Sequence, residues 1–278
     1  MMKKIITIKE IENFWNKNPL FFGEIPEDVN QKDFFEKIDL LYLSDIFPGK
    51  VDPRMLPDKN HLDGVLDLGC GPGCWTVQLA KHGAKNITAA DLTQSALDLA
   101  REHCKIYGYE VATSKQNAEK MTFQDQTFSH VFCSGVIHHT PDTQECIKEI
   151  ARVLKPEGTA LISVYYKNIY LRGWPYLRHV ARLFHKMGAK LQGRGREDIY
   201  RIENVEELVR FFDGKDNPVG KVYSKKQFLK MLEPYFIIEK TFLHYFPARS
   251  LPFKIPQWLH KILDRYTGFL LFAQCKKR

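Results

Sequence analysis

Positions 67 to 73 read Asp67-Leu68-Gly69-Cys70-Gly71-Pro72-Gly73, and Asp91 follows 18 residues after the last glycine. Glycines permit a sharp turn and close approach of a ligand to a helix N-terminus, while a carboxylate at the next strand end can accept hydrogen bonds from both ribose hydroxyls. The chemistry expected is nucleotide binding. The dinucleotide fingerprint G-x-G-x-x-G would need its third glycine at position 74, where Cys74 stands, so a nicotinamide dinucleotide is disfavoured. Farther along, His138 and His139 are adjacent imidazoles, which titrate near neutrality and can take a proton from a phenol, enol or thiol. A histidine at a helix start also commonly serves packing, and the sequence leaves both roles open. The six cysteines (Cys70, Cys74, Cys104, Cys133, Cys146, Cys275) form no CxxC pair and no paired ligand cluster, so no metal site and no disulfide framework is expected.

The elements that must hold these groups alternate along the chain. Gly64 to Gly69 reads as a short buried strand, followed by the glycine turn and a helix from Trp75 to His82 stopped by Gly83. A second strand, Asn86 to Ala90, ends at Asp91. Leu97, Ala100, Cys104 and Tyr107 then recur on one helical face, with Thr93 as N-cap and Gly108 as the stop. Glu110 to Ser114 is a weaker strand pattern and Phe128 to Cys133 a stronger one, and Asp142-x-x-Glu145 opens a helix as a capping box. Lys155-Pro156-Glu157-Gly158 is expected to break that helix before the β-rich run Thr159 to Tyr165. Beyond an irregular basic stretch come a helix (Ser224 to Leu232), a strand (Phe236 to Phe242), a proline-rich basic segment (Pro247 to Pro256) and a final strand (Gly268 to Cys275). This alternation predicts an α/β, Rossmann-like fold: a mostly parallel seven-stranded sheet with helices on both faces and a basic insertion after the fifth strand. Residues 1–60, with aromatics such as Phe14, Trp15, Phe21, Phe22, Phe34 and Phe35, read as a helical preface or cap. Residues 61–278 form one domain, with a substrate-cap insertion at about 166–222.

At 278 residues with 44% hydrophobic and 27% charged side chains, the chain matches a globular protein rather than a disordered one. No apolar run approaches the roughly 20 residues that span a bilayer. The start, Met1-Met2-Lys3-Lys4-Ile5-Ile6-Thr7-Ile8, imitates a signal peptide, but Lys9 and Glu10 end the apolar stretch, and a cytoplasmic location is expected. Charge is uneven. Residues 1–164 carry 18 basic and 23 acidic groups, residues 165–278 carry 23 and 10. A basic half suits nucleic acid, an anionic membrane surface or an acidic substrate. In Trp174 to Gly188, Leu177, Val180, Ala181 and Phe184 share one helical face while Arg178, Arg182, His185 and Lys186 lie largely elsewhere. Such a helix can lie in a membrane interface or pack its apolar face on the sheet. Similar content recurs at Tyr245, Phe246, Arg249, Phe253, Lys254 and Trp258.

The run VLDLGCGPG (Val65 to Gly73), with Asp91 after it, resembles motif I of the class I S-adenosylmethionine (SAM) dependent methyltransferases. Asn117-Ala118-Glu119, the segment Phe123 to Phe128, GVIHHTPD (Gly135 to Asp142) and VLKPEGTALIS (Val153 to Ser163) are similar to later signatures of its small-molecule branch, as in quinone-biosynthesis enzymes. The resemblance covers roughly residues 64–165 in order and implies SAM as cofactor. It implies that Asp67 lies near the methionine amino group, that Gly69 and Gly71 admit the methionine portion, and that Asp91 holds the ribose. Asn117 stands where the family usually has an aspartate reading the adenine amine; its carbonyl can accept that bond without charge assistance. Cys70, Gly73, Leu92, Ala118 and Cys133 complete the expected cofactor set, although Cys133 beside Phe132 also suits strand packing.

SAM brings its own leaving group, so the protein mainly aligns the acceptor, and a base is needed only for some acceptors. His138 and His139 are the candidate bases. Tyr165, Tyr166, Trp174 and Tyr176 are expected to line the acceptor entrance. The fourth strand ends Phe132-Cys133-Ser134-Gly135, without the (Asp/Asn)-Pro-Pro-(Tyr/Phe) box of adenine-methylating enzymes or the Pro-Cys of cytosine C5 enzymes, which disfavours nucleic acid. The tandem-glutamate loop of arginine methyltransferases is missing, as are the patterns of the menaquinone and ubiquinone C-methyltransferases. The expectation is O-, C- or S-methylation of a small lipophilic acceptor, with an anionic membrane as peripheral partner. An RNA methyltransferase and a non-catalytic SAM-binding module are the alternatives. Sequence leaves the acceptor and the oligomeric state open.

Overall fold

The computed structural model describes residues 6–19, 31–43, 48–186, 199–248, 251 and 253–278. Phe21, Phe22 and Arg249, and the side chain of Phe184, singled out above, lie outside the described residues. Among the described residues, the α-helices before the sheet are α1 (Ile8–Lys17) and α2 (Gln31–Leu41). α1 starts with a reciprocal capping box in which the Thr7 side chain accepts from the Glu10 N–H and the Glu10 carboxylate accepts from the Thr7 N–H.

The alternating core follows as β1 (Val65–Leu68), α3 (Cys74–Lys81), β2 (Thr88–Asp91), α4 (Gln94–Ile106), β3 (Ala112–Lys115), β4 (Phe128–Cys133), α5 (Thr143–Val153) and β5 (Leu154–Tyr166). The insertion carries α6 (Ile169–Arg172), α7 (Trp174–Lys186) and α8 (Val205–Arg210). β6 (Val222–Tyr223), α9 (Lys225–Leu232), β7 (Phe236–His244), α10 (Gln257–Thr267) and β8 (Leu270–Lys277) complete the chain. Sheet order is β3-β2-β1-β4-β5-β8-β7, with the two-residue β6 pairing β5 as an eighth strand. β8 is antiparallel to both neighbours, and the pairs from β3 to β5 are parallel.

Adjacent strand residues face opposite layers. Val65, Phe132 and Leu161 pack with Phe35 and Ile38 of α2 and Trp75 and Leu79 of α3. Their neighbours Leu66, Val131 and Ile162 pack with Ile147 and Ile150 of α5 and Phe228 of α9. Because both faces must be buried, these strands are apolar almost throughout, which is what a sheet covered on both sides requires.

Three local expectations differ from the fold. Lys155 to Gly158 continue β5, because Leu154 pairs with Phe128 before a register shift lets Thr159 pair with His130. The helix α10 lies just past the proline-rich segment and begins after Pro256, a residue suited to a helix start. Asp142 caps α5 by accepting from the Gln144 and Glu145 N–H groups, but its own N–H donates to Glu119 rather than to Glu145, so the box is completed from another segment.

Candidate active site

A cavity of about 220 Å³ opens at the carboxyl ends of β1, β2 and β4. On one side it is lined by the glycine loop and by Asp91, Leu92, Asn117 and Ala118. On the other stand His139, Thr140, Tyr165 and Asp213, and Ile8, Ile11 and Trp15 of α1 close over it.

The three loop glycines have positive φ but different surroundings. A Cβ on Gly73 would meet the Ala100 backbone at 2.8 Å, so this glycine lets α3 pack against α4. A Cβ on Gly71 would meet nothing within 4 Å, and Gly71 borders the cavity. The loop therefore leaves an open edge for a ligand at Gly71. Asp91 ties this loop to the next helix: Oδ2 accepts the Gly71 N–H at 3.1 Å, and Oδ1 accepts the N–H and hydroxyl of Thr93, each at 2.9 Å. Burial raises the Asp91 pKa, while these donors oppose the shift. Asn117 Oδ1 accepts the Glu119 N–H at 3.0 Å in an Asx turn, which holds the side chain at the cavity wall. An open loop edge, a carboxylate at the strand end and the apolar walls of Leu68, Leu92, Ala96 and Leu99 fit a nucleoside with a small charged appendage, as SAM has.

The opposite side holds a polar constellation. His139 Nδ1 is 2.8 Å from the Val219 carbonyl oxygen, which can only accept, so this nitrogen carries the proton. Nε2 lies 3.5 Å from Asp213 Oδ2, and the Tyr165 hydroxyl donates to both Asp213 oxygens at 3.2 and 3.0 Å. The Trp15 ring meets the His139 ring edge-on at 5.3 Å. This arrangement can hold an imidazole lone pair toward a proton on a ligand, with a carboxylate beside the cation that results.

Of the residues singled out from sequence, Gly69, Gly71, Asp91, Leu92, Asn117, Ala118, His139 and Tyr165 come together around the cavity. The remaining expected cofactor and acceptor residues do not border it. Asp67 faces the α3 layer, as Val65 does, where its Oδ2 accepts the Thr76 hydroxyl at 2.6 Å. Burial, with the Asp91 charge adding to it, pushes the Asp67 carboxyl up to about 7 against that hydrogen bond. Cys70 packs back on Ala89, Leu97 and Ala100, and Cys133 packs with Cys146 and Ile147 of α5. Gly73 is the N-cap residue of α3. His138 is fully buried behind His139, with no side-chain hydrogen bond among the described residues, and burial holds its pKa well below the usual imidazole range against the Ser163 backbone. Trp174 is buried, its indole N–H donating to the Ile202 carbonyl; Tyr166 meets the Arg172 guanidinium; Tyr176 is 81% exposed on α7. Tyr166 faces the opposite layer from Tyr165, Trp174 packs into the core and Tyr176 faces outward from α7, so none of the three borders the cavity. Trp15 and Tyr245, named above for the aromatic content of the preface and of the stretch after β7, also line the cavity. Tyr42 and Asp213 were not singled out; they reach the site from the preface and the insertion, and no local spacing marks them.

Residues 65–158 match a family described as "Methyltransferase domain". The chain is 36% identical over 104 residues to the ubiquinone biosynthesis O-methyltransferase of Coxiella burnetii, an alignment covering 37% of this chain and 44% of that relative. The chain thus spans less than half the length of that relative. To the ubiquinone biosynthesis O-methyltransferase of Idiomarina loihiensis it is 30% identical over 171 residues, covering 59% of this chain and 68% of the relative. Among solved structures, a SAM-dependent methyltransferase of Methanosarcina mazei superposes with a TM-score of 0.55 at 20% identity, covering 82% of this chain and 98% of the other. At that identity the likeness is one of fold.

Proposed function

Because the chain belongs to the class I SAM-dependent methyltransferases, we propose that it transfers a methyl group to an oxygen, carbon or sulfur of a small lipophilic acceptor. SAM, when bound, supplies an electrophilic methyl and its own leaving group. The observation that carries the reading is one cavity with two unlike sides, the open Gly71 edge with Asp91 and the His139–Asp213–Tyr165 constellation. Asp91 orients the ribose, while Asn117 and Ala118 border the base. His139 Nε2 accepts the acceptor's proton, Asp213 stabilises the imidazolium, and Ile8, Ile11 and Trp15 exclude water. The apolar lining from Ile8, Ile11, Tyr245 and Leu270 supports a lipophilic acceptor.

The test has two stages. Calorimetry should detect SAM binding, weakened by about 1.5–3 kcal/mol in Asp91→Ala, the scale of a hydrogen bond to a charged group. Incubating a cell extract with the enzyme and methyl-labelled SAM should then label a small extractable molecule, identified by mass spectrometry. SAM binding with no labelled product supports the non-catalytic module instead, no SAM binding overturns the reading, and label confined to RNA supports the nucleic-acid alternative.

We also propose that the acceptor is met at an anionic membrane surface. Tyr176, Leu177, Val180 and Leu183 of α7 are exposed beside Arg182, and Trp258, Ile262 and Tyr266 of α10 are exposed beside Lys261 and Arg265. Apolar stripes flanked by basic groups are the composition that interfacial helices use.

A further inference from the structure

Three side chains far apart in sequence meet behind the glycine loop. Asp39 of α2, Cys74 at the start of α3 and His103 of α4 bring a carboxylate oxygen, a thiol sulfur and a ring nitrogen within 4.8 Å of one another, and all three residues are buried. None borders the SAM cavity.

The imidazole decides what the cluster can do. His103 Nδ1 is 2.8 Å from the Pro72 carbonyl oxygen, which only accepts, so the proton sits on Nδ1 and Nε2 presents a lone pair. Nε2 is fully buried and has no hydrogen-bond partner among the described residues; it faces Asp39 Oδ1 at 3.5 Å. The Tyr107 hydroxyl donates to Asp39 Oδ2 at 2.7 Å, leaving Oδ1 turned to the imidazole. Two acceptors facing each other in a dry site repel unless a proton or a metal cation lies between them. Ligating histidines commonly give their other N–H to a carbonyl, and ligating carboxylates are commonly held by a second hydrogen bond. Both supports are present.

We propose that Asp39, Cys74 and His103 bind a divalent cation of the zinc type. A sulfur, nitrogen and oxygen donor set suits zinc, whereas magnesium and calcium select oxygen alone. Metal–ligand bonds of about 2.0–2.3 Å put tetrahedral ligands roughly 3.3–3.8 Å apart, so a closure of about 1 Å suffices. A cavity of about 10 Å³ beside Asp39 and Cys74, also lined by Tyr42 and Trp75, has room for about one water as a fourth ligand. On binding, the Cys74 thiol releases its proton to solvent and its electron pair bonds the cation. The ion then joins α2 to α3 and α4 and, through the His103–Pro72 hydrogen bond, steadies the loop that borders the SAM cavity.

The probe is the metal alone. Chelator-treated protein titrated with Co²⁺ should take up a single ion per chain, with tetrahedral visible bands and a thiolate-to-cobalt charge-transfer band, and Zn²⁺ should displace it. Cys74→Ser should abolish the charge-transfer band, and His103→Gln should weaken Zn²⁺ binding about 10-fold or more. Zn²⁺ should also raise the melting temperature of the unaltered protein, a readout that needs no variant to fold. The site is overturned by a melting temperature that Zn²⁺ leaves unmoved, by absence of the charge-transfer band, or by a band retained in Cys74→Ser.

Discussion

The Asp67 carboxyl titrates near neutrality because it lies inside the sheet layer with one hydroxyl donor, and burial outweighs that bond. Its pKa is raised from 3.8 to about 7, so the folded chain holds the proton more tightly than the unfolded chain. The resulting stability is fully present below about pH 4 and is lost as pH rises through about 7. Asp67→Asn keeps an acceptor for Thr76 without the charge. Its melting temperature should match the parent at pH 4 and exceed it increasingly toward pH 8, by on the order of a few kcal/mol of stability. A gap that is the same at both pH values would falsify this reading of Asp67. The two histidines separate in the same way. His139→Gln should lower turnover roughly 100-fold with SAM affinity nearly unchanged. His138 packs on the His139 and Tyr165 rings with no side-chain hydrogen bond among the described residues, so His138→Leu should keep both turnover and stability, since replacing such a buried imidazole by an apolar group costs little. Full activity in His139→Gln returns that residue to a structural role.

Among the elements, the strand-turn-helix of β1 and α3 shows how neighbouring glycines do different work. Gly73→Ala forces a Cβ against the Ala100 backbone and should cost about 1–3 kcal/mol by overpacking, read as a lowered urea midpoint. Gly71→Ala meets nothing within 4 Å, so it should cost only the roughly 1–2 kcal/mol of holding alanine at positive φ, without overpacking, yet a methyl at the cavity edge should weaken SAM binding at least about tenfold, the equivalent of 1.4 kcal/mol. Equal effects of both substitutions on stability and on SAM affinity would remove the distinction. α1 belongs to the site in the same sense: its capping box sets where the helix starts, and that start sets Ile8, Ile11 and Trp15 over the cavity.

At the scale of the whole molecule, charge and exposed apolar surface coincide in the second half of the chain. Residues 165–278 carry the 23 basic and 10 acidic groups, and the exposed stripes of α7 and α10 both fall there. Liposomes rich in anionic lipid should sediment the protein at low ionic strength and release it as salt rises, because screening weakens each basic contact. Protein that remains in the supernatant at low salt leaves the two helices as ordinary exposed surface.

The sequence by itself determined the layered core. Periodic apolar faces, caps such as Thr93 and Asp142, and the glycine turn are local signals, and the strand and helix positions from β1 to β4 follow them within about two residues. Gly71 and Asp91 were legible for the same reason, since a turn and the following strand end lie close along the chain. Tertiary structure decided the rest. Strand direction depends on partners far away, so β8 between β5 and β7 and its antiparallel course have no local signature. Asp213 reaches His139 and Tyr165 only because the insertion folds back, and the same insertion carries Tyr176 outward. Asp39, Cys74 and His103 show the limit most plainly: six cysteines without a CxxC spacing carry no metal signal, and the donors meet only because three helices pack together. Spacing along a chain reports contacts within an element, whereas contacts between elements are set by which faces must be buried together.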